Sequence, residues 1–228
     1  MPIFRLVDDV VFPPPDYADP SGLLAVGGDL SSERLLEAYR AGIFPWYSDD
    51  QPILWWSPDP RFVLKLDEFK LSRSLGKTLR RKIFNVTFDR VFEQVIAACA
   101  TVPRDGQSGT WITAEMEQAY INLHELGYAH SVETWFEGKL VGGLYGVSLG
   151  KAFFGESMFH RKTDGSKVAL ATLVKKLEGW AFHFVDSQMT TDHMIGLGAK
   201  EIPRRVFLKQ LGAALRHPTK RGKWRIED

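Results

Sequence analysis

The sequence predicts an α+β fold, with a small irregular N-terminal α/β domain over residues 1–61 and a larger C-terminal domain with a mixed sheet over residues 62–228. Three observations carry this reading. Proline is dense in the first sixty residues (Pro13-Pro14-Pro15, Pro45, Pro52, Pro58, Pro60), with Gly27-Gly28 and three tryptophans among them. Such a stretch stays extended or turning and cannot hold long helices. From about Phe62 the apolar residues instead recur at regular strand and helix periods. Within that region, three strand-like runs precede one long helical stripe and a further strand.

The elements follow in order. After Ser31, the stripe Leu35, Leu36 and Tyr39 marks the one clear N-terminal helix, stopped at Gly42. Phe62-Val63-Leu64 reads as a strand, and a short helix follows from Ser72. A strand spans about 84–88, and Asp89 is placed to cap a helix with Phe92, Val95, Ile96 and Cys99 on one face. Thr113 caps another helix, with Met116, Leu123 and Leu126 inward and Gly127 as its stop. Residues 131–136, 140–149 and 152–159 read as antiparallel strands, turning at Glu137-Gly138 and at Gly150. The stripe Val168, Leu170, Leu173, Val174 and Leu177 is a crossover helix leading to a strand at 183–188, parallel to the one before it. A short helix at 193–197, the stretch 199–202 and a last helix at 206–215 complete the chain. A meander, a crossover helix and a parallel strand are the order of GNAT-type acyltransferases. Fold order makes acyl transfer plausible without naming the donor.

Composition limits the function classes. The chain has 228 residues, 44% of them hydrophobic, enough for a substantial core. The net charge of +1 leaves room for a local basic face. One cysteine, Cys99, excludes an intrachain disulfide and a cysteine zinc cluster and suits a reducing cytosol. Met1-Pro2-Ile3-Phe4-Arg5 does not read as a signal peptide, and no segment is apolar enough to cross a bilayer.

Three constellations bear chemistry. Arg73, Lys77, Arg80 and Arg81 share one helical face opposite Leu71, Leu75 and Leu79. That face is either a solvated surface or a phosphate-binding stripe for RNA. Lys220, Arg221, Lys223 and Arg225 either extend it or form a disordered basic tail. Trp46 and Trp111 lie in loops, where an indole is either core or a platform for an unpaired base; Trp55 reads as core. In Gly155-Glu156-Ser157-Met158-Phe159 and Val185-Asp186-Ser187-Gln188, strand alternation turns Asp186 and Gln188 to one face, with Glu156 on the same crevice. This is either a structural hydrogen-bond network or a cluster that receives or orients an amine. The loop opening the crossover helix, His160 to Lys167, holds the lone glycine Gly165 and no Gly-x-Gly, which argues against an acetyl-CoA pyrophosphate cradle.

With these residues in view, the sequence resembles the leucyl/phenylalanyl-tRNA–protein transferases. Phe12-Pro13-Pro14, the run from Gly22 to Leu30, Gly42-Ile43-Phe44-Pro45-Trp46 and Trp55-Trp56-Ser57-Pro58-Asp59-Pro60-Arg61 look like the N-terminal signature of that family. Thr110-Trp111-Ile112-Thr113, Gly142-Gly143-Leu144-Tyr145-Gly146, Phe154-Gly155-Glu156-Ser157-Met158-Phe159, Ser166-Lys167, Asp186 with Gln188, Leu197-Gly198-Ala199 and Ile202-Pro203-Arg204 continue it in order. Ser187 stands where cysteine is usual, Gly165 where alanine is usual and His160 where serine is common. The serine excludes a thiol mechanism at that position.

The resemblance implies a GNAT-like C-terminal domain and a cytoplasmic, monomeric enzyme without metal, CoA or other cofactor. It implies transfer of leucine or phenylalanine, less readily methionine, from aminoacyl-tRNA to proteins beginning with arginine or lysine, marking them for a bacterial N-degron route. On this reading Asp186 polarises or deprotonates the acceptor amine, Gln188 positions it, and Glu156 orients the aminoacyl group or meets the acceptor's positive charge. Trp46 and Trp111 hold the terminal adenosine. Leu144, Phe153, Met158 and Leu170 form the side-chain pocket, and Arg73, Lys77, Arg80 and Arg81 bind the tRNA backbone. The rival readings are a CoA-dependent N-acetyltransferase of similar fold and a non-catalytic tRNA-binding module.

Overall fold

The computed structural model describes residues 3–101 and 112–227. The N-terminal sheet has four short strands, β1 (Phe4–Leu6), β2 (Leu23–Gly27), β3 (Phe44–Pro45) and β4 (Leu54–Trp56), in the order β1-β2-β4-β3. Helix α1 (Ser32–Arg40) begins where the Ser31 hydroxyl accepts the Arg34 N–H. It ends at Gly42, whose φ of +74° suits glycine and whose α-carbon leaves no room for a Cβ beside Leu208.

The second sheet has seven strands. They are β5 (Arg61–Lys65), β6 (Asn85–Phe88), β7 (Ala129–Phe136), β8 (Lys139–Leu149), β9 (Ala152–His160), β10 (Phe184–Asp186) and β11 (Lys200–Ile202), in the order β11-β5-β10-β9-β8-β7-β6. Strands β6 to β9 run antiparallel in sequence order. Helix α5 (Gly165–Gly179) then crosses over to β10, which pairs parallel to β9. The fold is therefore the mixed α/β, GNAT-like arrangement that the order of elements predicted. Helices α2 (Arg73–Arg81), α3 (Phe92–Thr101), α4 (Ala114–Glu125), α6 (Asp192–Gly196) and α7 (Arg204–Leu215) complete it. The two sheets divide between Trp56 and Arg61, but one apolar cluster joins them: Leu24, Tyr39 and Trp55 pack with Tyr120, Phe154, Phe184 and Phe207. Trp55 is fully buried, and its indole donates to the Gly27 carbonyl.

Several local expectations are corrected. Asp89 does not cap α3. It is buried at φ +51°, where its carboxylate accepts the N–H groups of Ser131 and Trp224 and meets His130 Nδ1. Leu71 and Leu126 are exposed, each lying just outside its helix. The basic tail is docked. Trp224 is buried, the Arg221 guanidinium donates to the Leu126 carbonyl, and Lys220 lies over the Trp180 ring. The last strand before α6 ends at Asp186, so Gln188 lies beyond it at φ +56°.

Two glycines explain how α5 meets the sheet. A Cβ on Gly142 would stand 2.6 Å from the Gly165 carbonyl carbon, and one on Gly165 would stand 2.9 Å from the Val141 carbonyl oxygen. The helix thus begins in near contact with β8, and the Arg161 N–H donates to that same Val141 oxygen.

Candidate active site

A β-bulge in β9 builds the site. Tyr145 pairs with Ser157 and Gly146 with Gly155, leaving Glu156 as the extra residue. In a regular strand, Phe153 and Glu156 would project to opposite faces. The bulge shifts the alternation by one residue, so both side chains reach the same space. Gly146 is the partner that permits it, since any Cβ there would strike the Phe154 carbonyl and stand 2.6 Å from the Phe153 ring.

That space is a cavity of about 730 Å³ between β8, β9, α5 and the segment from β10 to α6. Leu144, Phe153, Met158 and Leu170, the four residues expected to form a side-chain pocket, line it together with Glu156 and Gln188. Ser187 lines it as well, with Asp192 and His193 from the first turn of α6. The wall is thus apolar on the side of α5 and polar where β9 faces the loop after β10.

A continuous chain of polar contacts runs through the polar end. The Tyr39 and Tyr120 hydroxyls are 2.5 Å apart, and Tyr120 donates to Glu156 Oε2 at 3.0 Å. Gln188 Nε2 donates to Glu156 Oε1 at 3.1 Å, and the Gln188 backbone N–H donates to Asp186 Oδ1 at 3.0 Å. Asp186 is gripped on both oxygens by Arg61, Nε to Oδ1 at 2.9 Å and Nη2 to Oδ2 at 2.7 Å. The Arg61 guanidinium also donates to the Gly42 carbonyl and lies over the rings of Phe44 and Phe207. Arg61 and Asp186 are both fully buried, and each charge is answered by the other and by its hydrogen-bond partners.

This geometry separates the three polar residues singled out in the sequence. Glu156 and Gln188 face the cavity, whereas Asp186 does not line it. Burial pushes the Glu156 carboxyl up to about 7, opposed by its tyrosine hydrogen bonds and assisted by the charge of Asp186. The Tyr39 and Tyr120 hydroxyls, buried beside that carboxyl, are raised well above the usual phenol value and stay protonated as donors. His193, exposed at its edge, is held below the ordinary imidazole value by partial desolvation and by Lys167 and His160 beside it.

The other expected residues lie elsewhere. Trp46 follows β3, half-buried, with its ring edge-on to Trp56 at 5.7 Å and its carbonyl accepting the Trp56 indole N–H. It is not part of the cavity wall. Trp111 lies outside the described residues. Arg73, Lys77, Arg80 and Arg81 are all exposed on α2, whose Leu75 packs on α5 against Val168 and Ala171. Thr78 on the same helix donates to Asp164 at the start of α5, so the basic face is anchored beside the crossover.

Arg61, Tyr39 and Tyr120 were missed as site residues. Arg61 stood inside a quoted motif, and a buried arginine has no periodic signature. Tyr39 and Tyr120 fall on the apolar faces of their helices, where a tyrosine reads as core. Among the described residues, no three His, Cys, Asp or Glu side chains converge to hold a metal ion. No described helix is long and apolar enough to cross a membrane.

Comparison with known proteins bears on this site. Residues 63–212 match the family model described as leucyl/phenylalanyl-tRNA protein transferase, and residues 28–59 match the model of its N-terminal domain. The leucyl/phenylalanyl-tRNA–protein transferase of Myxococcus xanthus (strain DK1622) is 58% identical, covering 98% of this chain and 97% of its own length. That of Syntrophobacter fumaroxidans (strain DSM 10017 / MPOB) is 60% identical, covering 92% of this chain and 90% of its own. Among solved structures, L-PGS from Bacillus licheniformis aligns with a TM-score of 0.39 at 14% identity, covering 88% of this chain and 66% of that one. That likeness is too loose to carry an argument.

Proposed function

Because this chain belongs to the leucyl/phenylalanyl-tRNA–protein transferase family and is an aminoacyltransferase, we propose that the β9 cavity is where it moves an amino acid from charged tRNA to the N-terminus of an acceptor protein. The observation that carries the proposal is the cavity's division. An apolar end of Leu144, Phe153, Met158 and Leu170 adjoins a polar end of Glu156 and Gln188. The apolar end suits leucine or phenylalanine and, less readily, methionine, selected by size and burial. Glu156 and Asp192 give the wall the carboxylates that an acceptor beginning with arginine or lysine needs.

The aminoacyl ester is already activated, so no enzyme nucleophile is required. The acceptor's neutral α-amine attacks the ester carbonyl carbon, a C–N bond forms, and the bond to the ribose oxygen breaks. One proton must leave the nitrogen and one must reach that oxygen. Glu156, raised to about 7 and facing the cavity, receives the first and returns it to the leaving oxygen. Asp186, the other candidate for that task, is fully buried against Arg61 and does not line the cavity, so the proton is assigned to Glu156. Asp186 is better cast as a positioning residue. It fixes the Gln188 backbone, and the Gln188 amide in turn holds Glu156 and the amine.

On the same reading Arg73, Lys77, Arg80 and Arg81 bind tRNA phosphates, and Trp46 and Trp111 hold the terminal adenosine. The enzyme works as a monomer in the cytoplasm without cofactor, and its product enters an N-degron route. The test is transfer of radiolabelled leucine from leucyl-tRNA to an arginine-initiated peptide, run beside an acetyl-CoA reaction. Label moving from tRNA alone supports the proposal. Acetyl transfer would favour the CoA-dependent reading, and tRNA binding without transfer would favour a binding module.

A further inference from the structure

The C-terminal strap, residues 217–227, reaches back across the sheet and buries its one tryptophan behind the cavity. Trp224 stacks on His130 at 3.7 Å and meets Trp180 edge-on at 4.9 Å and Phe182 at 6.2 Å. Its ring also lies 6.0 Å from that of Phe153, and Phe153 is a wall of the cavity. The contact is fixed from several sides. The Trp224 N–H donates to Asp89 Oδ2 at 2.7 Å and its indole N–H to the Lys220 carbonyl at 3.1 Å. The Gly150 N–H donates to Thr219, and Arg221 donates to the Leu126 carbonyl while its guanidinium lies over Tyr128. Asp89 in turn binds His130 and the Ser131 N–H, so the tryptophan sits on a buried polar anchor rather than on a loose tail.

Phe153 is therefore confined. On one side Gly146 leaves its ring no spare room, because even a methyl group there would overlap it. On another stands Trp224. Both belong to one apolar cluster with Leu144, Leu170 and Met194, which also line the cavity. The family match ends at residue 212, so the strap lies beyond the matched segment.

We propose that Trp224 is a specificity-determining residue that acts through Phe153, setting the depth of the pocket that receives the transferred side chain. The inference rests on reading this cavity as the aminoacyl pocket. Close packing transmits the strap's position to the wall, since a buried ring that loses a neighbour relaxes into the gap. Depth then decides between side chains of different length, and one methylene of fit in an apolar pocket is worth roughly 10–200-fold. Removing the brace should let Phe153 retreat and favour the larger donor.

The test uses the full chain and one tRNA body charged with either leucine or phenylalanine, with an arginine-initiated peptide as acceptor. In Trp224→Ala, the ratio of kcat/KM for phenylalanine over leucine should rise about tenfold. Trp224→Phe should fall between that variant and wild type, and affinity for uncharged tRNA should not move. If both donors slow equally in Trp224→Ala, the strap is merely structural and the proposal fails. If Phe153→Ala shifts the ratio and Trp224→Ala does not, the pocket reading stands and the proposal about the strap falls. If neither variant shifts it, the pocket reading has failed and the proposal goes with it. Should Trp224→Ala not fold, Trp224→Phe decides alone, and a ratio equal to wild type overturns the proposal.

Discussion

Glu156→Gln should remove a pH step from transfer while leaving the site assembled. The amide has the same shape as the carboxyl and can still accept from one neighbour and donate to the other, so the Tyr120 and Gln188 contacts need not be lost. With its pKa near 7, Glu156 is ionised in about a tenth of molecules at pH 6 and about nine tenths at pH 8. The acceptor amine, with a pKa of about 7.7–8.0, goes from roughly 1–2% neutral to roughly half or more over the same interval. If both the ionised carboxylate and the neutral amine are needed, wild-type kcat/KM for the peptide should rise on the order of 400-fold between those limits. The variant should follow the amine alone, rising about 40-fold. At pH 8 it should also be slower by about 10²–10⁴, the usual contribution of a positioned base. The assay is single-turnover transfer from saturating leucyl-tRNA to sub-saturating arginine-initiated peptide, corrected for spontaneous ester hydrolysis. A variant with the wild-type profile, or one as fast as wild type at pH 8, would remove Glu156 from the proton path.

Four further outcomes are expected. Changing Arg73, Lys77, Arg80 and Arg81 together to Glu should weaken tRNA binding whatever its sequence and flatten its salt dependence by roughly 0.7–0.9 in log–log slope per lost contact; unchanged titrations would make α2 a plain solvated face. Arg61→Ala should destabilise the protein by about 3–5 kcal/mol in denaturant unfolding, because it strands the Asp186 charge in the interior. Asp186→Asn should lower kcat and move the inflection below its wild-type position near pH 7, because the Asp186 charge helps to raise Glu156, and losing the inflection altogether would return the proton to Asp186. Trp46→Ala and Trp111→Ala should raise KM for charged tRNA by roughly tenfold, as expected for one lost stacking contact of about 1–3 kcal/mol; a collapsed thermal transition would instead identify them as core.

The sequence was most legible where structure is periodic. The stripe Val168 to Leu177 and the turns at Glu137-Gly138 and Gly150 specify α5 and the meander directly. The caps at Ser31, Ser72 and Thr113 specify three helix starts, since each hydroxyl accepts from a backbone N–H three residues on. Of the site, the pairing of β9 with the strand after the crossover was legible, and with it the meeting of Glu156 and Gln188. The bulge at Glu156 was not. Alternation carries no mark of one inserted residue, and Gly146 and Gly155 hint at it only once their pairing is known. Arg61 and Trp224 stayed hidden for a related reason: each acts across more than seventy residues of chain, on Asp186 and on Phe153. Contacts of that range leave no local pattern.

The polar chain through the site has both of its ends outside the GNAT-like domain. It starts at Tyr39 on α1, and it closes at the Gly42 carbonyl, three residues further along, after passing through Glu156, Gln188, Asp186 and Arg61. The N-terminal segment is thus the clasp of a necklace whose beads hang in the larger domain. The bulge, the apolar pocket and the direct partners of Glu156, Tyr120 and Gln188, lie after Arg61, but Tyr39 and the Gly42 carbonyl at the two ends of the chain do not. A cut at that boundary would remove Tyr39 and Gly42 from the polar chain, and with them Leu24 and Trp55 from the core they share with Phe154 and Phe184. Separating the two segments would therefore open the core and unset the charges in one stroke.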